Sequence, residues 1–147
     1  MAVNERVVDA PVDLVWSVLT DASTYPRWVV GARRFRYADP DWPEPGSAFH
    51  HEVGVGPLRL RDETRVESIE PSRRIVLLAK ARPMGMARVA IEIAGSGHGT
   101  RVRLEERGAG PLTAALWNPV LDRLTWLRNV ESLRRFEGVV RDAAPSA

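Results

Sequence analysis

Between Leu58 and Glu67 polar and apolar positions alternate: Leu58, Leu60, Asp62, Thr64 and Val66 on one side, Arg59, Arg61, Glu63, Arg65 and Glu67 on the other. A period of two is that of a β-strand, and the charged side must face water, so the first set points inward. In all, strands are predicted over Val3 to Val8, Ala32 to Ala38, Ser47 to Val53, Leu58 to Glu70, Arg74 to Ala81, Met86 to Ala94 and Thr100 to Arg107. Turn residues punctuate them at Asp39-Pro-Asp-Trp-Pro-Glu-Pro-Gly46, Gly54-Val-Gly-Pro57, Glu70-Pro-Ser-Arg73 and Gly95-Ser-Gly-His-Gly99. In the last hairpin Val89, Ile91 and Ile93 fall in register with Thr100, Val102, Leu104 and Glu106. Ile75, Leu77, Ala79 and Ala81 then face inward. Val76 and Leu78 are left outside beside Lys80 and Arg82, open to solvent or to a second subunit.

Helical spacing takes over in two places. Val12, Val15, Trp16 and Leu19 mark one face of a short helix after Ala10-Pro11, and Ser23-Thr-Tyr-Pro-Arg-Trp28 reads as a second short turn of helix. From Pro111 to about Arg141, the residues Leu112, Leu116, Val120, Leu124, Leu127, Leu133, Phe136 and Val140 predict a helix of about eight turns. Pro119 either kinks that helix or marks its true start.

The opening from Asp9-Ala-Pro-Val to Tyr25-Pro-Arg-Trp28, and the element order that follows it, resemble the polyketide cyclase/dehydrase-type members of the START-like helix-grip superfamily, also called SRPBCC. The resemblance covers nearly the whole chain. It implies an α+β helix-grip fold: a curved, seven-stranded antiparallel sheet wrapped around a long C-terminal helix, with two short helices between the first two strands. It also implies a container for a hydrophobic small molecule. One domain is expected over residues 1–142, with 143–147 as a disordered tail.

Composition narrows the possibilities. The chain has 147 residues, 44% of them hydrophobic, enough for one domain with one core. No run approaches the roughly 18 apolar residues of a membrane span, and Glu5, Arg6 and Asp9 interrupt any signal-like start. The absence of cysteine excludes disulfides, thiolate catalysis and cysteine-bound metal, and a cytoplasmic location is expected. Twenty of the twenty-one basic residues are arginines, yet the net charge is only +2, and the outer arginines alternate with glutamates. No nucleic-acid partner is expected. Nor is a cofactor or a metal, since there is no phosphate-binding glycine loop and no zinc-like spacing of the three histidines.

Many inward positions are small: Thr64, Ala79, Ala81, Ala87 and Thr100. A sheet curved over a helix cannot fill its interior to the usual density of about 0.75 with such residues, so a cavity is expected. Its expected lining is Trp28, Leu60, Thr64, Leu77, Met86, Ile91, Val102, Glu106, Leu116, Val120, Leu124 and Leu127. Asn129 is a further polar candidate. Trp16 and Trp126 are expected in the core, and Trp28, Trp42 and Trp117 at an opening. Met84 and Met86 flank a flap-like hairpin.

Of the neighbours His50 and His51, only one can face inward, and pairing through the Gly54–Pro57 turn selects His51, opposite Asp62. An inward histidine and carboxylate can act as an acid–base pair. They can equally satisfy one another without any ligand. Glu106 is inward at its strand end. Three functions follow. The first is binding of a small hydrophobic or aromatic ligand between sheet and helix by a soluble monomer or homodimer. The alternative is an enzyme similar to the polyketide cyclases, aromatases or dehydratases, with His51 and Asp62 as its catalytic pair. The third, also from the resemblance, is an interaction protein of the chaperone-stimulating, quinone-chaperoning or toxin-like kind.

Overall fold

Chain order and sheet order differ at one point: the first strand pairs with the last, giving β1-β7-β6-β5-β4-β3-β2 in a seven-stranded sheet. The computed structural model describes residues 1–55, 57–80, 85–110, 115 and 118–145, and of residues 54, 55, 58 and 59 the backbone only. The strands are β1 Ala2–Val8, β2 Ala32–Ala38, β3 Ala48–Val55, β4 Leu58–Glu70, β5 Arg74–Lys80, β6 Met86–Ser96 and β7 Gly99–Ala109. Every pairing is antiparallel. Helix α1 (Val12–Leu19), a 3-10 turn (Ala22–Thr24) and α2 (Tyr25–Trp28) lie between β1 and β2. The long helix α3 (Pro119–Ala143) ends the fold. This is the expected helix-grip architecture.

Register sorts the inner face of the sheet into rows. Thr64, Ala79 and Ala87 lie side by side across β4, β5 and β6. The next row is Val66, Leu77, Val89 and Glu106, and beyond it come Ile75, Ile91, Leu104 and Asn4. The large row packs against Leu133, Phe136, Val139 and Val140 of α3 in one buried core. The small row leaves space. A close backbone approach completes the β1 end: Gly99 holds φ +129°, and the Val8 carbonyl occupies the place a Cβ would take. Glycine alone fits there.

Helix α3 starts where proline permits. The Asn118 side chain accepts from the Val120 and Leu121 amides, each at 3.0 Å, and Pro119 occupies the first turn, where its missing N–H is harmless. Pro119 is therefore a helix start. The predicted segment from Pro111 to Trp117 lies largely outside the described residues, as do Ala81, Arg82 and Met84.

The predicted stripe on α3 proves to be two stripes. Val120, Leu124 and Leu127 share one face. The six-residue step to Leu133 turns about 240° around a helix, almost to the opposite side. The face toward the sheet runs back from Phe136 through Leu133, Ser132 and Asn129, all buried. Val120, Leu124 and Leu127 are 67%, 57% and 49% exposed. Trp126 is also exposed, with the Arg123 guanidinium over its ring at 5.2 Å. On the outer sheet face Val76, expected exposed, is buried in a shallow groove lined by Glu67, Arg74 and Arg88. Those long side chains flank the strand and cover it. No helix among the described residues is long and apolar enough to cross a membrane.

Candidate functional site

Above the small row of the sheet a cavity of about 410 Å³ opens between sheet, α2 and α3. Thr64, Ala79 and Ala87 form part of its floor, with Leu77, Val89, Ile91 and Leu104 continuing it toward the core. Leu60 and Val53 close one side, and the chain from Val29 to Ala32 runs along the rim. An aromatic column joins floor to helix. Trp42 meets Phe49 at 5.0 Å, Phe49 meets Tyr25 at 4.4 Å, Tyr25 meets Trp28 at 4.9 Å and Trp28 meets Phe136 at 4.9 Å. Tyr25, Trp28 and Phe49 line the cavity. The Trp42 indole donates to the Thr20 carbonyl at 2.8 Å, which pins the column to the end of α1. The volume falls within the roughly 300–1,000 Å³ usual for small-molecule sites.

His51 lines this cavity and is buried, whereas His50 lies on the outer side. There His50 stacks on Tyr37 at 4.2 Å and meets Asp39 at 3.2 Å. The Asp39 carboxyl is held below the usual range by the Ala48 amide and then by His50. His51 Nε2 lies 3.1 Å from Thr64 Oγ1, and its Nδ1 has no hydrogen-bond partner among the described residues. Asp62 is the cross-strand partner of His51 and is buried, but it does not line the cavity. Burial pushes the His51 imidazole below its ordinary value, and the nearby Asp62 charge opposes that shift only in part.

A histidine held neutral in the fold makes stability depend on pH. Below an ordinary histidine pKa of about 6.5 the unfolded chain takes up a proton that the folded state refuses, so stability falls as the pH drops. The loss is complete only once the pH lies below the folded-state value. Thermal unfolding between pH 7 and 5.5 should therefore show a declining midpoint, with part of the slope removed by His51→Gln. An unchanged slope in that variant would mean that the His51 ring is not held neutral by burial.

Helix α3 offers a polar surface to the cavity. Arg128, Asn129 and Ser132 all line it. Ser132 Oγ accepts from the Val30 amide at 3.1 Å, tying the rim to the helix. Arg128 pairs with the buried Glu106 carboxylate, whose place in β7 opposite Val89 puts it at the helix end of the floor. The Arg128 guanidinium also donates to Asn129 Oδ1 at 3.4 Å. That contact orients the amide so that Nδ2 is left without a partner among the described residues.

Of the residues expected around a cavity, Trp28, Leu60, Thr64, Leu77, Ile91, Glu106 and His51 surround this one. Others lie elsewhere. Val102 is buried in the packed core and does not line the cavity. Met86 is exposed, being the register partner of outward Lys80. Val120, Leu124 and Leu127 face away from the sheet for the reason of helical phase given above, and Leu116 lies outside the described residues. Sequence reasoning passed over Tyr25, Phe49 and Ser132. Counting back in helical steps from Phe136 points to Ser132 and Asn129, and that phase was the available signal.

A single antiparallel sheet gripping a C-terminal helix, with a cavity between them, places the chain in the helix-grip class of α+β proteins. Residues 9–127 match the family model described as Activator of Hsp90 ATPase homolog 1-like protein, and the chain belongs to that family. The structure is similar to a protein of Nitrosomonas europaea at a TM-score of 0.74 and 18% identity, covering 97% of this chain and 94% of that one. An AHSA1-like protein from Aeromonas hydrophila gives a TM-score of 0.66 at 18% identity, covering 96% and 92%. The di-domain ARO/CYC StfQ of the steffimycin biosynthetic pathway gives 0.69 at 12% identity, covering 96% of this chain and 50% of that one. No curated protein matches the sequence. At these identities the solved structures share the fold.

Proposed function

We propose that this protein binds a small, largely apolar or aromatic molecule in the cavity between its sheet and α3. One observation carries the reading: side chains that would fill the interior are replaced by Thr64, Ala79 and Ala87 in one continuous row, under a cavity of about 410 Å³ with aromatic walls. Apolar surface facing such a space gains when a ligand displaces its water, at about 25 cal/mol per Å² removed from water. Fold-level kinship with proteins such as the di-domain ARO/CYC StfQ supports a cavity of this use only as analogy.

An acid–base enzyme has less support. Its pair would be His51 and Asp62, but His51 meets Thr64 and Asp62 is not among the residues that line the cavity. Titration with N-phenyl-1-naphthylamine, a neutral apolar fluorophore, tests the binding reading. Saturable one-to-one enhancement, with energy transfer from the cavity's Trp28, is the expected result. Linear partitioning without saturation would refute it. Native mass spectrometry of the purified protein would name a retained ligand directly.

A further inference from the structure

We infer that the ligand of this cavity is an uncharged molecule whose apolar body carries an oxygen acceptor of the ketone kind, received by hydrogen-bond donors of Asn129 and Tyr25. The inference rests on the binding reading above and narrows it.

Four cavity-lining side chains leave a polar atom unpaired among the described residues: Tyr25 Oη, His51 Nδ1, Arg128 Nε and Asn129 Nδ2. Tyr25, His51 and Asn129 are only 6%, 7% and 3% exposed, and the four atoms come from α2, β3 and α3, so no single local distortion explains them. Folded proteins pair the great majority of buried polar atoms. An orphaned one forgoes its bonds to water without compensation, and four on one cavity call for a partner that enters it. The chemistry of the atoms says which partner. Asn129 Nδ2 is an amide donor, its Oδ1 already engaged by Arg128. Burial pushes the Tyr25 phenol up, so its proton stays on and it donates as well. His51 Nδ1 donates or accepts according to the tautomer set at Thr64.

Charge on the ligand is disfavoured for a separate reason. The ionic groups at the cavity are already paired: Glu106 with Arg128, whose Nε remains a further donor, while the Lys80 ammonium at the edge turns outward to Glu63 at 3.8 Å. An anion or cation would add a net charge beside this paired, partly buried site, while a neutral acceptor adds none.

The test compares three probes on one skeleton: 9-fluorenone, fluorene, which lacks the carbonyl, and fluorene-9-carboxylate. Fluorenone should bind about tenfold more tightly than fluorene, the worth of one or two net hydrogen bonds. It should also bind more tightly than the carboxylate. Its carbonyl stretch should move to lower frequency on binding. Asn129→Leu, close in shape, should remove most of the preference, and Tyr25→Phe, which removes one oxygen only, keeps the test alive should Asn129→Leu fail to fold. Equal affinity for fluorenone and fluorene, an unshifted carbonyl, or tighter binding of the carboxylate would overturn the inference and leave the cavity reading standing. Failure of all three probes to bind would overturn both.

Discussion

Replacing Phe136 by alanine should lower the unfolding free energy by about 3–5 kcal/mol, the usual range for a buried phenylalanine lost to a cavity. In a chain of this size that corresponds to a fall of roughly 8–15 °C in the thermal midpoint. The residue is almost fully buried and sits where three parts of the fold meet. It belongs to α3, its ring stands edge-on to Trp28 of α2 at 4.9 Å, and it packs into the core with Ile75, Ile91 and Leu104 of the sheet. No other element can move in to close the gap, because Trp28 is held by its own bond to Thr24 at 3.2 Å and by Tyr25. Chemical denaturation measures the loss, and Trp28 emission should shift to the red as water reaches the indole. Phe136→Leu should recover more than half of the stability. A loss below about 1.5 kcal/mol for the alanine variant would mean that this half of α3 is not seated as described.

The sheet was readable because period-two alternation is enforced by water on one face: Arg59 to Glu67 cannot be buried, and that settles the inward set of β4 and, through the hairpin, of β3. His51 rather than His50 followed from that reasoning, and the register pair His51–Asp62 has the expected form. What alternation cannot show is how far a side chain stands from the void. Asp62 faces the same way as Thr64 but lies outside the cavity lining. Helix α3 was harder. Leucine and valine spacing suggested one stripe, yet the helix turns a polar face, Arg128, Asn129 and Ser132, to the cavity and leaves Val120, Leu124 and Leu127 exposed. An apolar stripe marks a packed core. Over an unfilled space the inward face is free to be polar, so the rule that leucines point inward fails where the helix meets the cavity.

Ala79→Trp should weaken binding of N-phenyl-1-naphthylamine at least about a hundredfold while leaving the fold intact. Ala79 lines the cavity from β5 and has Thr64 and Ala87 as its lateral neighbours, so an indole on its Cβ would rise into the space above the small row. There it removes ligand volume and buries its own apolar surface, which offsets the lost freedom of the side chain. The thermal midpoint is therefore expected to hold or to rise. Overpacking a filled core behaves differently, destabilising by about 1–3 kcal/mol or more. The two measurements together separate an open cavity from a packed one. Ala90→Trp supplies the control, because Ala90 pairs with Val76 on the outer face of the same sheet. That variant should bind the fluorophore as the parent does. If Ala79→Trp unfolds at lower temperature and the probe still binds, the ligand space lies somewhere other than above this row.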